Sequence, residues 1–347
     1  MRRALRIFAV AAIGALVVAL GFLAMLVFPA SPKPANGLHF AGFIPLPKQG
    51  GVVSILDYLT VDGSRLYVTS VTSGDVYEVP LSNGALPAPG MVKVVPGAGE
   101  AHGVAVDPAS GLAFVTRSKA NHVDVFDPSS RRTMKSIAIA EDGDGAIFDP
   151  IHKLVYAVNG DPGIATLIDP VSQTSVGTIA LGGKPEFAAF DPQTDLIYQN
   201  LEDKDAVAAV DVGRRAVVGR WSLGPCEAPT GVALDTAHRR LFAVCSKNAL
   251  LVVMDLASHR IVASLPIGGG PDSVAYDAVL GRIYATGKSG VLSVIQQDRP
   301  DAYRILDTVK LHFGAHTLAI DPATHRVYAA YASLFTPPRL AVFDAVR

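Results

Sequence analysis

The feature that most constrains this chain is internal repetition. Seven times the sequence runs through a polar residue, a short apolar stretch, an aspartate, a turn and an apolar stretch carrying an aromatic residue. The copies occupy 57–70, 102–117, 144–159, 186–200, 230–245, 272–287 and 316–331. Their aspartates are Asp62, Asp107, Asp149, Asp191, Asp235, Asp277 and Asp321, at spacings of 45, 42, 42, 44, 42 and 44 residues. A period of this size marks one supersecondary unit per copy, each burying its apolar face only against its neighbours.

The second copy shows what one unit contains. Gly103–Val106 is short and apolar, as a buried strand is. Asp107 to Gly111 is turn chemistry, Leu112–Thr116 a second strand, and Val123–Phe126 a third that stops at Asp127-Pro128. Ser136–Ile139 opens a fourth. Four strands in about 40–45 residues is the signature of a propeller blade. The expected fold is therefore all-β, a seven-bladed β-propeller of four-stranded blades over residues 38–347. The last copy supplies only three strands, ending at Leu340–Phe343. Residues 38–46 (LHFAGFIPL) resemble outer strands such as Thr178–Leu181, so they are expected to complete blade seven and remove its open edge. A closed ring of this kind is expected to be a monomer.

Ahead of the repeats lie basic Met1–Arg6 and an uninterrupted apolar or small run of 22 residues, Ile7–Phe28. Such a run is long enough to span a bilayer as a helix and longer than a secretory h-region. Phe28, two residues before Ala30, is too bulky for a small-x-small cleavage site. Residues 1–30 are expected to be an uncleaved signal anchor, a single transmembrane helix, with 31–37 (SPKPANG) as an extended linker. The basic flank places the body outside, in the periplasm or the extracellular space. A cleaved, secreted form is the alternative.

Residues 1–36 hold four basic residues and no acidic ones, so the remainder carries 26 basic and 31 acidic residues, a net charge of −5. An acidic body does not suit nucleic acid, which needs a basic face to neutralise phosphates.

The repeat resembles the YVTN family of β-propellers, also known as YncE-like proteins. The matching elements are P-x-G-V-A-[LV]-D, as in Pro229–Asp235, and Y-V-T or Y-A-V strands, as in Tyr67-Val68-Thr69 and Tyr156-Ala157-Val158. The resemblance covers 38 to 347. It implies the propeller fold and a family that includes surface-layer proteins and periplasmic binding propellers. It does not assign a function, because fold and function separate in such scaffolds.

Five residues before each repeat aspartate stand Asp57, His102, Asp144, Glu186, Thr230, Asp272 and His316. Each opens an inner strand, and inner strands of a propeller begin at one mouth of the central channel, so these seven are expected to ring a ligand-binding mouth. YVTN repeats often carry small or neutral residues there. Four converging carboxylates repel one another and would turn phosphate away. A bound cation, shared protons or water would offset that repulsion. Closure makes blades 7, 1 and 2 neighbours, so His316, Asp57 and His102 form a possible set for a divalent metal cofactor. Plain solvation of strand ends is the competing explanation.

Cys226 and Cys245, the only cysteines, both fall in copy five and are expected to form a disulfide. The repeat aspartates read as turn caps, and the series Tyr67, Phe114, Tyr156, Tyr198, Phe242, Tyr284 and Tyr328 as core between blades. Trp221 reads as packing. His122, His152, His238, His259 and His325 read as solvated turn residues. No Gly-x-Ser-x-Gly, His-Glu-x-x-His or phosphate-cradling loop occurs. The favoured function is thus a membrane-anchored scaffold binding a small molecule or a cell-envelope protein through the acidic, histidine-containing mouth. The alternative is a metal-assisted hydrolase or lyase using the same ring.

Overall fold

The computed structural model describes residues 31–48, 53–82, 84–312, 314–331, 333–334 and 337–346. Seven four-stranded antiparallel sheets stand as blades. Their inner strands are Leu56–Asp62, Ala101–Val106, Gly143–Asp149, Pro185–Asp191, Pro229–Asp235, Pro271–Asp277 and Leu318–Asp321. Each touches the next in cyclic order, and the seventh touches the first. Leu38–Pro45 supplies the outer strand of blade seven, antiparallel to the carboxyl-terminal strand Arg339–Ala345. A two-stranded ribbon, Val53–Ser54 with Ser333–Leu334, is added beside the ring. The signal-anchor expectation falls on residues 1–30, outside the described residues. Among the described residues no helix is long and apolar enough to cross a membrane.

The repeat aspartates tie the turns between the first two strands. Asp149, for example, accepts from the amides of Ile151 (2.9 Å) and His152 (3.1 Å). Four residues after the aspartate the chain enters the left-handed region at Gly111, Lys153, Asp195, Arg239, Gly281 and His325. Only two of these are glycine, so the turn hydrogen bonds hold the other four in a conformation costing roughly 1 kcal/mol each. Three turns also latch neighbouring blades. Arg239 reaches Asp191 (2.7 Å), Gln297 reaches Asp235 (2.9 Å), and His325 reaches Asp277 (2.8 Å). His152 and His238 likewise bind the aspartates of their own turns, Asp149 (2.9 Å) and Asp235 (2.8 Å). The expectation of merely solvated histidines is therefore corrected for His152, His238 and His325, and also for His122, beside Asp124 at 3.0 Å, and His259, stacked on Trp221.

The core lies between blades. All seven repeat aromatics are buried. Tyr156 of blade 3, for instance, packs with Ile197 and Val210 of blade 4. Trp221, on the outer strand of blade 4, stacks on His259 of blade 5 with ring centroids 3.7 Å apart.

Cys226 and Cys245 form a disulfide, with Cα atoms 5.2 Å apart and a separation of 19 residues. It fastens the loop entering blade 5's inner strand to the end of the next strand. A loop of this length corresponds to about 3 kcal/mol of stabilisation in the chain-entropy account. Replacing both cysteines with serine should lower the urea midpoint of the oxidised protein accordingly. Reductant should shift the wild type to the variant's midpoint. Coincident curves for oxidised wild type and variant would show that the bond adds nothing.

Candidate functional site

The inner strands re-aim their opening residues through a repeated backbone irregularity. In blades 1 to 6 the register with the second strand shifts just after the strand begins, between Leu56 and Leu59, Ala101 and Val104, Gly143 and Ala146, Pro185 and Ala188, Pro229 and Val232, and Pro271 and Ser273. Asp57, His102, Asp144, Glu186, Thr230 and Asp272 all lie inside these shifts. A bulge releases a residue from the ladder and turns its side chain, here towards the axis. In blade 7 the strand begins only at Leu318, so His316 sits in the segment before it.

Six of the seven side chains meet at the mouth. His102 Nδ1 donates to Asp57 Oδ2 at 2.6 Å and lies 3.6 Å from Asp144 Oδ1. His316 Nε2 lies 4.0 Å from Asp57 Oδ1 and 3.9 Å from Asp272 Oδ2. Asp57 therefore faces both imidazoles, one through each oxygen. Glu186 stands across the axis, 3.7 Å from Lys184 Nζ. Thr230 is the exception: its buried hydroxyl donates to the Pro271 carbonyl (3.1 Å) and offers nothing to the mouth. Its side chain is short enough to satisfy itself on the neighbouring backbone. The trio His316, Asp57 and His102 also resolves differently from a single set. Two groups, Asp57–His102–Asp144 and Asp57–Asp272–His316, each have donor atoms within 4.8 Å of one another.

The charges are held under strain. Burial, then Asp57, pushes the Asp144 carboxyl up to about 7. Burial, then Asp144, pushes Glu186 up to about 9. Burial also raises Asp272, against the pull of His316 and Lys288. For His102 burial opposes the charged form, but the hydrogen bond to Asp57 and the charges of Asp57 and Asp144 outweigh it, and its pKa is raised.

The Glu186 shift has a measurable sign. The native state holds that proton more tightly than the unfolded chain does. The contribution of Glu186 to stability is thus greatest below the ordinary value of 4.5 and declines as pH rises towards about 9. Glu186→Gln removes the penalty. It should stabilise the protein by about 1–3 kcal/mol near pH 8 and by nothing measurable below about pH 4.5. Urea titrations at the two pH values check this, and equal effects at both would contradict it.

The next residue of each inner strand decides the channel's depth. Tyr58 and Phe187, on blades 1 and 4, stack across the axis with centroids 4.4 Å apart. The same repeat position is glycine in blades 2, 3 and 5: Gly103, Gly145 and Gly231. A Cβ on Gly145 would come within 3.0 Å of the Tyr58 hydroxyl, and one on Gly103 within 2.2 Å of the Ala146 nitrogen. Small residues there let the strands close in around the two rings. The stacked pair floors the acidic mouth. A cavity of ≈ 390 Å³ adjoins the pair, touching Glu186 of the mouth and lined mostly by apolar residues such as Leu59, Val61, Val106, Ile147 and Phe148. Sequence reasoning missed this floor. It also missed Lys184 and Lys288, which stand 3.7 Å from Glu186 and 3.8 Å from Asp272.

The fold has a counterpart among solved structures. A chain of Kuenenia stuttgartiensis hydrazine synthase superposes with a TM-score of 0.70 over 84% of this chain and 95% of its own length, at 16% identity. At that identity the likeness carries the propeller fold alone. No family model matches this sequence, and neither does any curated protein. The chain is a seven-bladed β-propeller.

Proposed function

We propose that this chain is a YVTN-type propeller, anchored to the cell membrane by residues 1–30 and displayed outside the cytoplasm, that works as a binding scaffold through its acidic mouth. The observation that carries the reading is the convergence of four carboxylates and two imidazoles beside a stacked aromatic pair. A mouth lined by carboxylates offers acceptors to a cationic group, on a small molecule or on a cell-envelope protein, and does not suit nucleic acid. The Cys226–Cys245 disulfide supports an oxidising compartment.

A tetra-arginine peptide tests the mouth, with its citrulline counterpart as the neutral control. Calorimetry on the full-length chain in detergent and EDTA should detect the arginine peptide alone. Asp144→Asn with Asp272→Asn should weaken it at least about tenfold, as loss of a charged hydrogen-bonding partner does. Equal affinity for both peptides, or no effect of the double variant, would remove the reading.

A second reading, a metal-assisted hydrolase or lyase, is favoured by one observation: two sets of three donors share Asp57. Hydrolysis or elimination would need an ion and a base placed together at this mouth.

A further inference from the structure

We propose that the mouth holds one divalent transition-metal ion, Zn²⁺ or Mn²⁺, between His316, Asp57 and Asp272, with His102 as a positioning residue and not a ligand. The proposal rests on reading the ring as a binding mouth, and it divides the two histidines by what each ring nitrogen does.

His316 Nδ1 lies 2.7 Å from the carbonyl oxygen of Gly314. A carbonyl only accepts, so Nδ1 carries a proton, and when the ring is neutral Nε2 presents a lone pair. That lone pair faces Asp57 Oδ1 at 4.0 Å and Asp272 Oδ2 at 3.9 Å. Three electron-rich atoms pointed at one another repel unless a proton or a metal ion lies among them, and a metal ion displaces that proton from Nε2 on binding. Bonds of about 2.0–2.2 Å to such an ion span donor separations up to about 4 Å, so the set can close on one ion with little movement. An N–H held by a backbone carbonyl is the usual support of a metal-bound imidazole. Two carboxylate oxygens and one imidazole nitrogen suit Zn²⁺ or Mn²⁺ and leave coordination positions for water or ligand.

His102 is engaged differently. Its Nδ1 donates to the other oxygen of Asp57 at 2.6 Å, which leaves Oδ1 directed at His316. A proton, not a lone pair, faces the carboxylate there. His102 fixes the rotamer of Asp57 and lies beside Asp144, so it acts on the ion through Asp57.

A second feature points to something bound above the floor. Tyr58 is 91% buried, since only 9% of its surface is exposed, and its hydroxyl has no hydrogen-bond partner. The charges of Asp144, Asp57, Glu186 and Asp272 all act on that hydroxyl. A buried phenol without a partner costs about 1–3 kcal/mol, and a water carried by the ion would supply one.

The test uses the full-length chain purified without a histidine tag, stripped with EDTA and dialysed against Zn²⁺, Mn²⁺ or Ca²⁺ alone. Elemental analysis should find one equivalent of Zn²⁺ or Mn²⁺, with Ca²⁺ held poorly. Asp272→Asn and His316→Gln, which keep side-chain volume, should each abolish retention. His102→Gln should keep one equivalent but weaken affinity about tenfold or more, the usual effect of removing such a support. In the wild type, ¹⁵N-histidine spectra should shift His316 Nε2 on Zn²⁺ addition, a readout that needs no variant to fold. Absence of Zn²⁺ and Mn²⁺ from wild type, preference for Ca²⁺, or a spectrum in which His102 and not His316 binds would overturn the site. The peptide titration in EDTA reads the binding mouth separately, so either idea can fail alone.

Discussion

Ile44→Asp in the closing strand should cost on the order of 4–5 kcal/mol or more and drive the protein into aggregates, because it buries an unpaired charge and opens the ring together. Ile44 is fully buried, in a cluster with Leu340, Val342 and Tyr328 of the same blade and Leu66 of blade 1. It lies in Leu38–Pro45, which pairs along Arg339–Ala345 from Leu38 opposite Ala345 to Pro45 opposite Arg339. Phe40 and Phe43 of this strand pack on Phe343 and Tyr331 with centroids 5.6 Å apart. The preceding segment is pinned too, since Asp307 of blade 6 accepts from the amides of Ala35 (2.7 Å) and Asn36 (2.8 Å). Displacing the strand leaves Arg339–Ala345 as a long apolar edge, which other chains will pair with. His39→Asp on the same strand is the control. His39 is exposed, so its effect should stay within about 0.5 kcal/mol. Urea denaturation with light scattering separates the two. An Ile44→Asp protein that scatters no more light than the wild type and unfolds at the same urea concentration would mean that closure does not hold the ring.

Repetition made the blades legible. Seven aspartates in phase fixed the number of copies, and turn chemistry fixed four strands in each. The same phase located the opening residues, because six of the seven inner strands start six residues before their aspartate, the strand of blade 7 being shorter. Individual side chains escaped that logic. Thr230 shares its offset with six ionisable residues, yet its hydroxyl turns into the backbone of blade 6. Tyr58 and Phe187 meet only because blades 1 and 4 face each other across the channel, a relation no local pattern carries. The glycines opposite them were the available signal, since a position that alternates large aromatics with Gly103, Gly145 and Gly231 has to fill a shared space. The strand-end position ten residues after most repeat aspartates was the other blind spot. It holds Arg117, Asn159 and Cys245, and each makes a different fastening. Averaging over copies hides a position whose function is to differ.

Arg117 is the strongest of those fastenings, and Asp124→Ala should expose it. The Arg117 side chain is fully buried at the end of Ala113–Arg117, with Nε 2.9 Å from Asp124 Oδ2. Its guanidinium reaches into blade 1, donates to the Gly74 carbonyl and packs where a Cβ on Gly97 would collide. Asp124 is held in turn by Ser136 Oγ at 2.6 Å and lies 3.0 Å from His122 Nε2. Burial pushes the Arg117 pKa down while the Asp124 charge and hydrogen bond pull it back up, so the pair depends on the carboxylate. Taking that carboxylate away strands a guanidinium without its counter-charge, at a cost of about 3–5 kcal/mol. Removing both charges is a different experiment. Arg117→Met with Asp124→Leu keeps the volume and leaves no buried charge, so most of the lost stability should return. The sign of that recovery decides between two roles. Recovery to the wild-type urea midpoint means that the pair sets how blades 1 and 2 meet without adding net stability. A double variant no better than Asp124→Ala means that the contact to Gly74 itself holds the two blades together, and that the buried charge was never the source of the cost.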